Sequence, residues 1–144
     1  MYRGIDIEGS AFFDLLMESE DFCVQLGKLT LVASRLEGEL ILLLRRLGEK
    51  DDIESFNMGR LIRRLKRFDS LESGTMFWLE EECQKRNYLT HNIYHLLHGI
   101  IAQTILERDD IIDSDVHTYT EQAWMTQQNL LGLCELIKKH HKSV

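Results

Sequence analysis

One apolar repeat, in a chain without proline, constrains the fold more than any other feature. Between residues 20 and 48 the apolar positions alternate four and three residues apart, an average of about 3.5, as on a helix packed lengthwise against other helices. The chain has no proline to interrupt such a helix. We therefore predict a long helix over 20–48 with its seam in a bundle core, or for part of its length in a dimer interface. The seam residues are Phe22, Leu26, Leu29, Ala33, Leu36, Leu40, Leu43 and Leu47.

More apolar residues lie beside this seam and widen the apolar face of the same helix. They are Leu31, Val32, Ile41, Leu42 and Leu44. A face this wide is typical of a helix that other elements cover on more than one side. We expect the helix to end at Gly48, because glycine is common just past a helix C-terminus.

The remaining pattern predicts four further helices, over 10–19, 57–70, 75–101 and 118–141. Ser10 is the predicted N-cap of the first, and Ser73 or Thr75 that of the helix over 75–101. Residues 103–116 are acid-rich and less periodic, and we expect a connecting loop there. No hairpin signal or internal repeat is visible. The predicted fold is all-α, a single domain over 1–144 in which four long helices and one short helix form an antiparallel bundle.

Charge and composition narrow the classes of protein. The formal net charge of −7 argues against a general nucleic-acid coat protein, which would be basic. No apolar run is long enough for a transmembrane helix, and the N-terminal residues lack the pattern of a secretory signal. Three scattered cysteines, Cys23, Cys83 and Cys134, fit small buried hydrophobes in a reducing compartment. We therefore expect a cytoplasmic protein that does not bind membranes.

Four arginines of the helix over 57–70 share one face, since three of them lie within about 60° of Arg60 on a helical wheel. We call this set the arginine stripe: Arg60, Arg63, Arg64 and Arg67. One explanation is a solvated face that offsets nearby acids. The other is a track of side chains that contact the phosphates of RNA.

The helix over 75–101 carries an arginine on its apolar side. Arg86 falls within the arc formed by Leu79, Cys83, Leu89, Ile93, Leu96, Leu97 and Ile100. Asn87, His91, Tyr94 and His98 form an adjoining polar face. A buried arginine needs a carboxylate, carbonyl groups or a phosphate as its partner. Two interpretations remain, a structural arginine beside solvated histidines, or a phosphate site.

Histidines 91, 95 and 98 follow a spacing that places two or three imidazoles on one helix face. Such a face is able to bind a metal ion when further ligands lie opposite. No second ligand cluster and no paired ExxH pattern of a di-iron bundle is evident in the sequence. We predict no metal and no cofactor.

The stretch "RNYLTH" matches a known pattern in which arginine and a polar residue precede a histidine by three to five spacers. Here Arg86 and Asn87 are followed by three spacers and His91. In a small helical chain this motif resembles the HEPN superfamily (higher eukaryotes and prokaryotes nucleotide-binding). The motif covers six residues, whereas the likeness of fold would cover nearly the whole chain. One toxin subgroup has a tyrosine two residues after the histidine, whereas Tyr94 comes three residues after it.

The resemblance implies a metal-independent endoribonuclease that acts as a homodimer, with the two motifs sharing one composite site. Many active members are toxins of toxin–antitoxin pairs or defence proteins, so a cognate antitoxin is a possible partner. Other members are catalytically inactive and bind a protein or nucleotide partner, which is the alternative function. A bundle unrelated to this family, with an interaction or regulatory role, is the third hypothesis.

The chemistry of RNA cleavage gives each motif residue a role. Histidine titrates near neutral pH and suits proton transfer, so His91 is the predicted acid–base residue. Arg86 would bind the phosphate as a permanently charged fork. Asn87 would orient the imidazole or bond the phosphate. Tyr94 and the arginine stripe are the predicted RNA-binding residues, and we expect no DNA substrate.

Overall fold

The computed structural model describes residues 9–91, 93 and 116–144, and all regular structure in that part of the chain is helical. The predicted all-α bundle is therefore confirmed. The predicted helix residues beyond 93 and nearly all of the predicted loop over 103–116 lie outside the described residues. The described helices are α1 (Gly9–Glu18), α2 (Glu20–Arg46), α3 (Met58–Lys66), α4 (Ser73–Thr90) and α5 (Val116–Ser143).

Helix α2 is the central element, and its predicted seam forms the core. Leu29, Leu36, Leu40 and Leu43 are fully buried, and each such side chain contributes about 1.5–3 kcal/mol of hydrophobic stabilisation. The wider face is covered in part: Leu44 is fully buried, and Val32 and Ile41 are half-buried against the core. Leu31 is 73% exposed and Leu42 is 52% exposed, because the other helices pack against the seam side of α2.

Local capping chemistry sets both ends of α2 and the start of α3. Ser19 accepts a hydrogen bond from the Phe22 amide at 3.1 Å, which starts α2 directly after α1. Asn57 caps α3 in the same way, through the Arg60 amide at 2.9 Å. Gly48 ends α2 as predicted, with a φ of 103° that glycine adopts without steric strain.

Two predicted N-caps are wrong. Ser10 lies inside α1, which already begins at Gly9. The N-cap of α4 is Glu72, without a side-chain hydrogen bond to the helix, so neither Ser73 nor Thr75 has that role. Residues inside the first turn resemble caps in sequence, because serine and threonine are common in both places.

Polar contacts show the directions of the helices. Side chains of α2 bond to α5 at the Gln25–Gln127 and Arg35–Glu135 pairs, so these two helices run parallel. Helix α4 runs antiparallel to α5, because Trp78 packs on Gly132 while Glu82, further along α4, bonds to Asn129. The two longest helices, α2 and α5, are therefore parallel to each other, and α4 is antiparallel to both.

Helix α3 is shorter than predicted and is held against the loop that follows α2. It ends at Lys66, and the tight turn after it places Asp69 at a φ of 48°. Arg64 donates hydrogen bonds to the carboxylates of Glu49 and Asp51, the latter at 2.8 Å. These bonds fix α3 across the end of α2.

The cysteines are not all buried. Cys83 and Cys134 lie in the core as predicted, but Cys23 is exposed, because it projects from the side of α2 away from the seam. No helix in the described ranges combines the length and apolar character needed to cross a membrane.

Candidate functional site

The last turn of α4 brings the two principal motif residues into contact. Nη1 of Arg86 lies 3.1 Å from Nε2 of His91. A guanidinium group only donates hydrogen bonds, so Nε2 of His91 is the unprotonated acceptor in this contact. The chain thus presents a permanent cation and a proton-accepting nitrogen side by side.

The contact lies at the C-terminal end of α4. The sequence predicts His91 in the interior of a long helix, but α4 ends at Thr90 and His91 is its C-cap. The amide of His91 still donates to the carbonyl of Asn87 at 2.9 Å, and Thr90 Oγ1 donates to the carbonyl of Arg86 at 2.8 Å. In a regular helix, residues five apart point about 140° away from each other. The long, flexible arginine side chain spans that difference.

Arg86 lies at the boundary between core and solvent, as its position on the apolar arc predicts. The residue is half-buried, and its Nε is buried without a hydrogen-bond partner among the described residues. Within the same ranges no carboxylate forms an ion pair with Arg86. Its described hydrogen-bond partner is the imidazole of His91, which carries no negative charge. An anion at the exposed end of this side chain would therefore meet a positive charge that no described carboxylate neutralises.

The pKa of the Cys83 thiol, one turn before Arg86, depends on burial and on nearby charges. Burial raises the pKa of Cys83, and the nearby guanidinium of Arg86 acts in the opposite direction. Arg63 of α3 and Glu37 of α2 are also close enough to act on this thiol, with opposite signs. Arg63 and Arg86, from different helices, thus both contribute positive charge at this thiol.

Members of the arginine stripe have different environments. Arg64 is half-buried and bonded to Glu49 and Asp51, so this arginine has a structural role. Arg60 is exposed and stacks its guanidinium 3.8 Å from the centre of the Phe56 ring. Arg63 and Arg67 are exposed. Three arginines of the stripe therefore remain accessible to a phosphate backbone.

Of the other predicted site residues, Asn87 lies within the described part of the chain and Tyr94 does not. Asn87 is half-buried, and the described contact of the His91 imidazole is with Arg86 and not with the Asn87 amide. Tyr94, the predicted RNA-binding tyrosine, lies outside the described residues, as do histidines 95 and 98. Over the part of the chain that is described, no group of three potential ligands could hold a metal ion.

Sequence reasoning missed a buried carboxylate one turn before Arg86. Glu82 is 1% exposed and accepts a hydrogen bond from Asn129 of α5 at 2.8 Å. Lys85 lies 3.1 Å from its other oxygen. The signal was present in the pattern, because Glu82 falls within the same apolar arc as Arg86, about 60° from Leu79. The bond between Glu82 and Asn129 anchors α4 to α5 just before the motif turn begins.

A surface cleft of about 310 Å³ lies between α3 and the start of α4. Neither Arg86 nor His91 lines it; the lining includes Lys66, Ser70 and Phe77. The Arg86–His91 pair is instead on open surface at the end of α4, where His91 is exposed. Such a position suits a large polymeric ligand better than a small enclosed one.

Comparison with known proteins found no matching protein-family model, no matching curated protein and no matching solved structure.

Proposed function

We propose that this protein is a metal-independent endoribonuclease of the HEPN type, with Arg86 and His91 at its catalytic centre. The observation that carries the proposal is the 3.1 Å contact between Nη1 of Arg86 and Nε2 of His91. It joins the two chemical groups that RNA cleavage requires, a fixed positive charge and a nitrogen that can accept a proton.

The first step uses the nucleophile that RNA itself carries. Unprotonated Nε2 of His91 takes the proton of a 2′-hydroxyl, and the 2′-oxygen attacks the adjacent phosphorus. The P–O5′ bond breaks, which leaves a 2′,3′-cyclic phosphate on one product. The departing 5′-oxygen takes a proton from a second, protonated group and becomes a free hydroxyl.

Arg86 supplies the electrostatic part of the reaction. Negative charge builds up on the non-bridging phosphate oxygens during attack, and two donors of a guanidinium can bond to them at once. The partly buried position of Arg86 strengthens that interaction, because water screens charges less there. When phosphate binds, the guanidinium turns from His91 to the phosphate, which frees Nε2 for the 2′-hydroxyl.

A homodimer would supply the second proton-transfer group. The reaction needs one base and one acid, and the motif of each chain contributes one histidine. If two motif turns face a single scissile phosphate, one His91 is the base and His91 of the partner subunit is the acid. The exposed members of the arginine stripe would hold the RNA on either side. A toxin or defence role, held in check by an antitoxin, fits such an activity.

The test is RNA cleavage by purified protein in the presence of EDTA. The expected result is cleavage of labelled RNA that leaves 2′,3′-cyclic phosphate ends, and no cleavage of DNA of the same sequence. DNA lacks the 2′-hydroxyl and is therefore the matched control substrate. An absence of cleavage across diverse RNA pools would favour the alternative, an inactive module that binds a protein or nucleotide partner.

A further inference from the structure

The cleft between α3 and the start of α4 has an exposed aromatic ring in its wall. Phe77 is 65% exposed, and within the described ranges no other aromatic ring packs against it. Leu65, Leu71 and Met76 supply the rest of the apolar lining. The volume of about 310 Å³ is at the lower end of the range for small-molecule sites, about 300–1,000 Å³. The cleft therefore has room for one flat ring stacked on Phe77.

The charged groups of the cleft suit a neutral polar ligand. Nζ of Lys66 lies 2.7 Å from Oε1 of Glu80, and both side chains line the cleft. The pair is exposed and therefore weak, so a ligand can replace either partner at little cost. Together the ammonium and the carboxylate offer a donor and an acceptor, as the edge of a nucleobase requires. Asp69 adds a second carboxylate to the lining, and two carboxylates would repel a phosphate.

Phe77 and Glu80 begin a row of side chains on α4 that leads to the motif. The row continues with Gln84, Asn87 and His91, and the alternating spacing of three and four residues places all five on one side of the helix. The amide of His91 keeps its helical bond to the carbonyl of Asn87, so the row extends to the C-cap. We call these five residues the α4 row. From Phe77 to His91 the helix rises about 21 Å.

Helix α3 places cations beside the α4 row. Only residues 67–72 connect α3 to α4, and such short connections join antiparallel neighbours. Because Lys66 meets Glu80 at the cleft, Arg67 lies at the cleft end of α3, and Arg63 lies one turn further towards the motif end of α4. Both arginines are exposed, and neither pairs with a carboxylate in the described ranges. Phosphates of a strand along the α4 row would thus meet unpaired positive charge.

We propose that the cleft binds one nucleobase of the RNA substrate, stacked on Phe77, while the strand follows the α4 row to Arg86 and His91. The inference rests on the proposed function for the identity of the polymer. It adds to that function a base-binding subsite a few nucleotides from the bond that is cut. The RNA in the cleft is single-stranded, because a base must leave its helix before an aromatic side chain can stack on it.

Binding of a labelled single-stranded RNA is the first test, in a His91→Ala background so that the RNA stays intact. Phe77→Ala should weaken binding about 5- to 150-fold, the usual range for the loss of one stacked base. The salt dependence of binding should not change, since no phosphate contact is lost. Phe77→Trp keeps a stacking ring and should bind like the parent protein. Trp124→Ala, at a position on α5 that is 51% exposed, is the matched control and should have no effect.

The matched ligand keeps the phosphates and lacks one base. RNAs with an abasic ribose at successive positions should include one that binds as weakly as the intact RNA binds to Phe77→Ala. That same RNA should lose no further affinity when it is combined with Phe77→Ala, because both changes remove one contact. Cut sites mapped in a random RNA pool should show a base preference at a fixed distance from the cut bond. Phe77→Ala should abolish this preference.

The outcomes separate the two proposals. Equal RNA affinity of Phe77→Ala and its parent, with Phe77→Ala folded by circular dichroism, would overturn the base subsite. If free nucleoside monophosphates also bound through Phe77 in that case, the cleft would be a site for a small molecule. RNA binding that depends on Phe77 without any cleavage would refute the endoribonuclease and retain the subsite. Cleavage with the same cut-site preference in Phe77→Ala would retain the endoribonuclease and refute the subsite.

Discussion

Nη1 of Arg86 lies 3.1 Å from Nε2 of His91, five residues further along the chain and at the C-cap of α4. The contact joins a half-buried guanidinium to an exposed imidazole. It therefore links the bundle core to the surface where a substrate would bind. The consequences for activity and stability can be tested one residue at a time.

Replacement of His91 should remove RNA cleavage without unfolding the protein. His91→Ala deletes the proton-transfer group, and we expect a loss of about 10²–10⁴-fold in cleavage rate. The side chain is exposed, so the thermal unfolding midpoint should change little. Single-turnover cleavage of labelled RNA measures the effect.

His117→Ala is the matched control for that experiment. His117 is an exposed histidine on α5 that pairs with Glu121 at 3.1 Å. Its removal should leave cleavage unchanged. Equal rates for wild type and His91→Ala would mean that the motif is an ordinary helix end.

Arg86→Lys should separate charge from geometry. Lysine keeps the positive charge but lacks the planar fork, so it cannot hold two phosphate oxygens in the same way. We expect most of the transition-state stabilisation to be lost, about 2–4 kcal/mol by analogy with the removal of one oxyanion donor. The rate constant for cleavage at saturating RNA is the relevant measurement. A lysine variant as fast as the wild type would show that charge alone is sufficient.

The exposed arginines of the stripe should contribute to RNA affinity. Arg63→Glu combined with Arg67→Glu should weaken binding and flatten its salt dependence, by about 0.7 in logarithmic slope for each phosphate that is no longer neutralised on single-stranded RNA. Titrations at several salt concentrations give the slope. The control is Lys138→Glu with Lys139→Glu, the same charge change on exposed residues of α5. Similar effects from both pairs would indicate only a general charge effect.

The buried Glu82–Asn129 pair should matter for stability. Asn129→Ala removes the 2.8 Å donor to a carboxylate that is almost wholly buried. An unsatisfied buried acceptor costs about 1–3 kcal/mol, so the free energy of unfolding should fall by that amount. Gln128→Ala, on the adjacent exposed position, should change it by less than about 0.5 kcal/mol. If apolar contacts alone held α4 against α5, urea unfolding would give the same free energy of unfolding for Asn129→Ala and Gln128→Ala.

The three thiols should differ in reactivity. Cys23 is exposed, whereas Cys83 and Cys134 are buried. Burial raises the pKa of Cys134 to about 11 and also raises that of Cys83, so neither forms much thiolate near pH 8. A thiol reagent should modify one cysteine per folded chain rapidly and three after unfolding. Rapid modification of all three in the native protein would contradict the packing of α4 and α5.

The sequence determined the helical character of the chain, because apolar spacing follows the geometry of a helix regardless of what packs against it. The seam of eight residues was predicted for this reason; six of them are buried, and Leu26 and Leu47 are half-buried. Gly48 was identified as the end of α2 by the same local logic. The six-residue motif that begins at Arg86 was likewise identified from the sequence alone.

Tertiary structure decided which side of each helix is covered and which polar groups meet. Leu31 and Leu42 look like core residues in the sequence, yet they are exposed, since burial depends on how many helices surround α2. Glu82 accepts a hydrogen bond from Asn129, and Glu49 accepts one from Arg64, although the partners are 47 and 15 residues apart in sequence. No local sequence pattern predicts such pairs. The Arg86–His91 contact likewise depends on which way the long arginine side chain turns, and the spacing in the sequence does not determine that.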